Sequence, residues 1–288
     1  VPSRANLIYN KAFLRNDEER RRDYLGKLEK GETKINASTL FPHDIVNKYT
    51  QGTHVYGPKD ATIEALWKAL PDTVQGCGNT IVVADGSGSM RTKVDPKSTV
   101  SALDVANALA IYFAEHSSGQ FKDKYITFSE SPQFVDFSKC KTLHEKLQTA
   151  NAHTEVANTN IEKVFDLILT AAINNRMSQK DLPANILIIS DMEFDRCITL
   201  ETTGRYSWNT PSLNRNEIGT LFEKIQKKWA AAGYEMPQVT FWNLDARSDN
   251  IPAIGPKFNY ISGFSMSQME EVMSGKTAIE LMLDVLNK

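Results

Sequence analysis

Two short runs without a polar residue, Ile81-Val82-Val83-Ala84 and Ile186-Leu187-Ile188-Ile189, narrow most what this chain can fold into. A strand with one face in water alternates apolar and polar residues. A strand apolar at every position needs cover on both faces, as in the core of a parallel sheet. From about residue 79 to the end, strand patterns alternate with helical ones. Leu103, Ala106, Leu109, Ala110 and Phe113 predict a helix over about 99–116, and Val164, Phe165, Ile168 and Leu169 predict another over 161–173. Further strands are predicted at 124–128, 133–137, 238–243 and 258–261, and further helices at 213–232 and 266–286. The link Ser129-Glu130-Ser131-Pro132 is too short for a crossover, so 124–137 reads as an antiparallel edge hairpin. The fold class expected is α/β: a doubly wound, Rossmann-like domain with a mostly parallel central sheet flanked by helices.

No strand pattern precedes residue 76. Leu7, Ile8, Phe13 and Leu14 share one helical segment, and the charged stretch Asp17–Arg22 opens a second that ends near Gly31. Pro42 suits the first turn of a short third helix. Asp60 caps a fourth that carries Ile63, Leu66, Trp67 and Leu70 and is stopped by Pro71. The organisation expected is thus a helical segment, 1–75, followed by an α/β domain, 76–288. About 75 residues with few large apolar side chains make a poor independent core. The helices are therefore expected to pack on the α/β domain, through Leu66, Trp67 and Leu70. Arg20, Arg21 and Arg22 read as a solvated helix face.

Composition removes several alternatives. The net charge of −2 supplies no global basic field for nucleic acid. Cys77, Cys140 and Cys197 form no CxxC pair, against a disulfide scaffold or a zinc site and in favour of a reducing, cytoplasmic location. No apolar run reaches the roughly 18–20 residues of a membrane span. The chain begins at Val1, without a Met or a signal-like apolar segment, and reads as processed or truncated.

In doubly wound sheets ligands sit outside the carboxyl ends of the strands. There the first strand runs into Asp85-Gly86-Ser87-Gly88-Ser89, one carboxylate and two hydroxyls on a tight loop. The second apolar strand ends in Ser190-Asp191, and Asn158-Thr159-Asn160 precedes the helix at 161. Carboxylate and hydroxyl oxygens are hard ligands, suited to Mg²⁺ or Mn²⁺ rather than zinc. Each residue also has a plainer role open to it. Asp85 can form a turn, Ser87, Ser89 and Thr159 can cap helices, and Asp191 can act as a structural hydrogen-bond partner. The loop is not a P-loop, because no Gly-Lys-Ser/Thr follows, nor a Gly-x-Ser-x-Gly nucleophile elbow. His43, His54, His116, His144 and His153 lack metal-ligand spacing.

A strand followed by Asp-x-Ser-x-Ser, a later Thr before a helix and a later Asp after an apolar strand resembles the metal-ion-dependent adhesion site (MIDAS) of von Willebrand factor A (vWA) domains. The resemblance covers about residues 79–288 and maps the metal ligands to Asp85, Ser87, Ser89, Thr159 and Asp191. It implies a bound Mg²⁺, with Mn²⁺ or Ca²⁺ as alternatives. It also implies a protein ligand that offers an Asp or Glu carboxylate to an open coordination position. His153, which shares the Thr159 loop, is a candidate for the site rim, as are Glu193, Tyr206 and Trp208. Narrower stretches, Lys11-Ala-Phe-Leu14, Lys34-Ile-Asn36, Phe41-Pro42-His43 and Ser190-Asp-Met-Glu-Phe194, resemble the family DUF2828. In that family a helical region precedes the A domain, a layout similar to the Ro/TROVE RNA-binding proteins. The function implied is a metal-dependent protein-interaction module. An RNA-associated role is the alternative, although the charge does not indicate it. No Lys, His or second metal cluster stands beside the motif to act as base or nucleophile, so the module is read as non-enzymatic, a metal-dependent hydrolase being the least favoured reading.

Overall fold

The computed structural model of the chain describes residues 1–50, 57–74, 79–154, 160–192, 215–244 and 255–263, with positions 283 and 286. Four helices open it: α1 (Ser3–Asn16), α2 (Glu18–Glu29), α3 (Pro42–Thr50) and α4 (Ala61–Lys68). Then follow β1 (Thr80–Asp85), α5 (Ala102–His116), β2 (Lys124–Phe128), β3 (Phe134–Asp136), α6 (Leu143–Ala152), α7 (Ile161–Asn174), β4 (Asn185–Ser190), α8 (Arg215–Ala231), β5 (Gln238–Asn243) and β6 (Phe258–Ser262). The helix expected at 266–286 falls almost wholly outside the described residues. The strands form one sheet in the order β3-β2-β1-β4-β5-β6. All neighbours are parallel except β2 and β3, which form the antiparallel edge hairpin.

β1 and β4 lie side by side at the centre, with Ile81 opposite Ile186 and Val83 opposite Ile188. Their side chains alternate between two cores. Val82, Ala84, Leu187 and Ile189 face the layer of α3, α4, α5 and α6. Ile81, Val83, Ile186 and Ile188 face the layer of α7 and α8. This is the two-sided cover that the apolar runs require. Each buried Ile or Val contributes about 1.5–3 kcal/mol relative to exposure.

The amino-terminal helices are part of the first layer. Leu66 and Trp67 are buried in the same cluster as α5, and Leu70 packs against it half-buried. The Trp67 indole donates to Glu115, which also pairs with Lys146. Asn47 and Thr50 of α3 both donate to Asp104, the residue that closes the capping box of α5 with Ser101. Glu64 of α4 accepts from the Leu143 and His144 backbone N–H groups and so satisfies the start of α6. That helix was not expected from the sequence, whose stretch Leu143–Ala152 is mostly polar.

Arg20, Arg21 and Arg22 do not form one solvated face. Arg20 and Arg22 are exposed and pair with Asp17 and Glu18, but Arg21 is only 6% exposed. Its guanidinium donates to Asn6, Asn10 and Thr62 and lies 5.2 Å from the ring centres of Phe13 and Tyr24. To meet it, α1 turns Asn6 and Asn10 inward, with Ser3 donating to Asn36 on the same face, and leaves Ile8 and Tyr9 in solvent. Among the described residues no helix is long and apolar enough to cross a membrane.

Candidate functional site

The strand order reverses between β1 and β4. From β1 the chain proceeds outward through β2 and β3, and from β4 through β5 and β6. The carboxyl ends of those two strands therefore flank the crevice in which doubly wound folds hold ligands. Asp85 ends β1, Ser190 ends β4 and Asp191 follows it.

Asp85 is 1% exposed. One carboxylate oxygen accepts from the Ser87 N–H at 2.8 Å, and the other accepts from the Ser190 hydroxyl at 2.7 Å. No cationic side chain pairs with it among the described residues. Burial pushes its pKa up to about 6; the hydrogen bonds from Ser190 and Ser87 oppose that rise, and the negative charge of Asp191 adds to it. Ser190 binds the two strands at this point, since its hydroxyl also accepts from the Met192 N–H at 3.0 Å. Met192 is buried with φ of 65°, so the chain turns sharply as it leaves β4 and keeps Asp191 at the edge. Asp191 itself is 6% exposed.

The loop after Asp85 is anchored by Met90, which is fully buried. A short 3₁₀ turn, Ser89–Arg91, follows from that anchor. The Ser87 and Ser89 hydroxyls are brought to 3.0 Å from each other, Ser87 half-buried and Ser89 exposed. Four expected ligands, Asp85, Ser87, Ser89 and Asp191, thus belong to the ends of two adjacent strands. Thr159 lies outside the described residues. The cap of α7 is Asn160, whose side chain accepts from the Lys163 N–H. Of the rim residues expected, His153 lines a small cavity together with Asp85, whereas Glu193, Tyr206 and Trp208 lie outside the described residues.

The donor set fits a hard divalent cation. A carboxylate withdrawn from water, with a second carboxylate raising its pKa and no basic partner, carries negative charge that the described protein does not neutralise. Two hydroxyls adjoin it. Such oxygens suit Mg²⁺ or Ca²⁺ and are poor ligands for zinc. Three further site residues were not singled out from the sequence. Ser190 was visible only as the neighbour of Asp191. Asn107 is a polar residue on the otherwise apolar α5, and Ser129 appeared only as a turn residue after β2. Asn107 and Ser129 line the same cavity as Asp85.

A family profile described as Domain of unknown function (DUF7788) matches residues 79–284, and one described as Domain of unknown function (DUF2828) matches residues 1–80. An uncharacterized protein of Acanthamoeba polyphaga mimivirus is 30% identical over 271 residues, which is 91% of this chain and 42% of that protein. The crystal structure of the Deinococcus radiodurans RO (RSR) protein superposes with a TM-score of 0.50 at 16% identity, covering 91% of this chain and 49% of that one. The chain therefore spans less than half the length of each of these two proteins. The likeness to the RO protein is one of fold, with helices preceding an α/β sheet.

Proposed function

The chain belongs to the family described as Domain of unknown function (DUF7788), and from that premise we propose that it is a binding module, not an enzyme, in which a divalent cation at the β1/β4 edge captures an acidic group of a protein partner. One observation carries the reading: Asp85 is buried at the switch point, with no basic partner among the described residues, and is bonded to Ser87, whose hydroxyl lies 3.0 Å from that of Ser89. Asp85, Ser87, Ser89 and Asp191 would hold the cation, together with Thr159. The cation would supply Coulomb attraction for a carboxylate, and the surrounding loops would supply selectivity. Mg²⁺ suits this role because it retains exchangeable waters and is bound by few protein carboxylates.

Calorimetric titration of chelator-treated protein with Mg²⁺ and with Mn²⁺ tests this. One site is expected, and Asp85→Ala or Asp191→Ala should weaken it by at least an order of magnitude. Equal binding by the variants would remove the assignment. The RNA-associated alternative, drawn from the DUF2828 and RO likenesses, behaves differently. Contacts from Lys and Arg to phosphate weaken steeply with salt and persist in EDTA, whereas capture through the cation is abolished by EDTA and restored by Mg²⁺.

A further inference from the structure

Ser129 follows β2, the strand beside β1, and Asp85 pairs in register with Phe128 immediately before it. The residue is 1% exposed, and its hydroxyl has no hydrogen-bond partner among the described residues. A buried hydroxyl left in that state is destabilising, so a partner is expected there. Ser129 lines a cavity of about 10 Å³ with Asp85, with Asn107 of α5, which is 5% exposed, and with His153. The His153 Nδ1 lies 2.8 Å from the Thr149 carbonyl. A carbonyl can only accept, so Nδ1 donates this hydrogen bond. A cavity of this size accommodates one water, and a buried water needs two to four polar partners.

We propose that Ser129 and Asn107 are positioning residues for the cation site, holding a single buried water against the Asp85 carboxylate and so fixing that carboxylate from the β2 and α5 side. The inference rests on the metal reading above. Ser87 and Ser190 hold the Asp85 oxygens from its own loop and from β4. A water held by Ser129 and Asn107 adds restraint from a third direction. Such groups behind a metal ligand typically account for 10–100-fold in affinity.

Two measurements test it. In a crystal structure of the metal-free chain, one water should lie within hydrogen-bond distance of both the Ser129 hydroxyl and the Asn107 amide. A dry cavity overturns the inference whatever the metal does. In calorimetry, Ser129→Ala and Asn107→Leu should each weaken Mg²⁺ binding about tenfold or more. The urea midpoint of metal-free Ser129→Ala should fall by less than the loss in affinity, because the hydroxyl it removes holds one water and no protein group. Wild-type affinity in both variants overturns the inference and leaves the metal reading standing. No divalent binding by the wild type overturns both. A loss of affinity accompanied by an equal loss of stability assigns these residues to packing and overturns the positioning role.

Discussion

Arg21 and Asp85 are both charged residues withdrawn from water, and they differ in what surrounds them. Arg21 is enclosed by groups that suit a cation: the Asn6 and Asn10 amide oxygens, the Thr62 hydroxyl, the faces of Phe13 and Tyr24, and the charge of Asp60 nearby. Asp85 receives two hydrogen bonds but lies within range of another negative charge, Asp191. The first environment surrounds its charge with acceptors and aromatic faces and ties α1, α2 and α4 together. The second leaves its charge to be completed from outside. Burial alone therefore does not distinguish a structural charge from a functional one. The sign of the surroundings does.

The largest effect should come from disrupting the compensated site. Arg21→Met leaves the Asn6 amide oxygen without its buried donor and removes the guanidinium from Asn10 and Thr62, and should cost about 3 kcal/mol of stability. The loss should concentrate in hydrogen exchange of residues 3–29, and added Mg²⁺ should not change it. If exchange rises equally in β1 and β4, the helices and the sheet unfold as one unit and the comparison loses its regional meaning.

Removing the uncompensated charge should act in the opposite direction. Asp85→Asn is expected to stabilise the metal-free chain at pH 7 by on the order of 2 kcal/mol, while abolishing the stabilisation that Mg²⁺ confers. The pH dependence follows from the same shift. The folded-state pKa of Asp85, about 6, lies above its ordinary value of 3.8. Its contribution to stability is fully present below about pH 3.8 and is lost as pH rises through 6. Measured between pH 7 and pH 5, metal-free wild type should gain about 1 kcal/mol from this group relative to Asp85→Asn. Saturating Mg²⁺ should reverse that slope, because the cation competes with the proton. A variant less stable than wild type at pH 7 would show Asp85 to be a structural partner of Ser190 instead.

The smallest effect sharpens the contrast within one helix. Arg22, adjacent to Arg21, pairs with Glu18 in solvent at 2.7 Å. Arg22→Ala should change the urea midpoint by the equivalent of less than about 0.5 kcal/mol. A larger loss would mean that charge on α2 matters beyond its one buried guanidinium.

Much of the fold was legible because its causes are local. The apolar runs at 81–84 and 186–189 predicted central strands covered on both faces, and the sheet places them there. The cap at Asp60, the stop at Pro71 and the short link after Phe128 behaved as residues of those types do. The placement of Asp85, Ser87, Ser89 and Asp191 at or just beyond strand ends was legible for the same reason, since each position is recognisable from its own neighbours. The inward face of α1 was not legible. Its apolar residues suggested an ordinary amphipathic helix, yet Asn6 and Asn10 face inward to meet Arg21, and Ile8 and Tyr9 face out. α6 was missed because its stretch is mostly polar, although Thr142 caps it locally by accepting from the Glu145 N–H; Glu64, 79 residues before Leu143, completes that start.

The sequence by itself determined which segments become buried strands, where the helices other than α6 begin and stop, and which carboxylates and hydroxyls stand at strand ends. Those outcomes depend on residues within a few positions of one another, whose spacing either matches the period of an element or does not. Only the tertiary structure decided which strand ends meet. The hydrogen bond from Ser190 to Asp85 spans 105 positions, and the cavity shared by Asp85, Asn107, Ser129 and His153 collects residues from β1, α5, the end of β2 and the end of α6. A contact between distant positions leaves no periodicity in the chain. It arises when the apolar faces of β1, β2 and β4 pack and set the register that brings these polar groups to one edge.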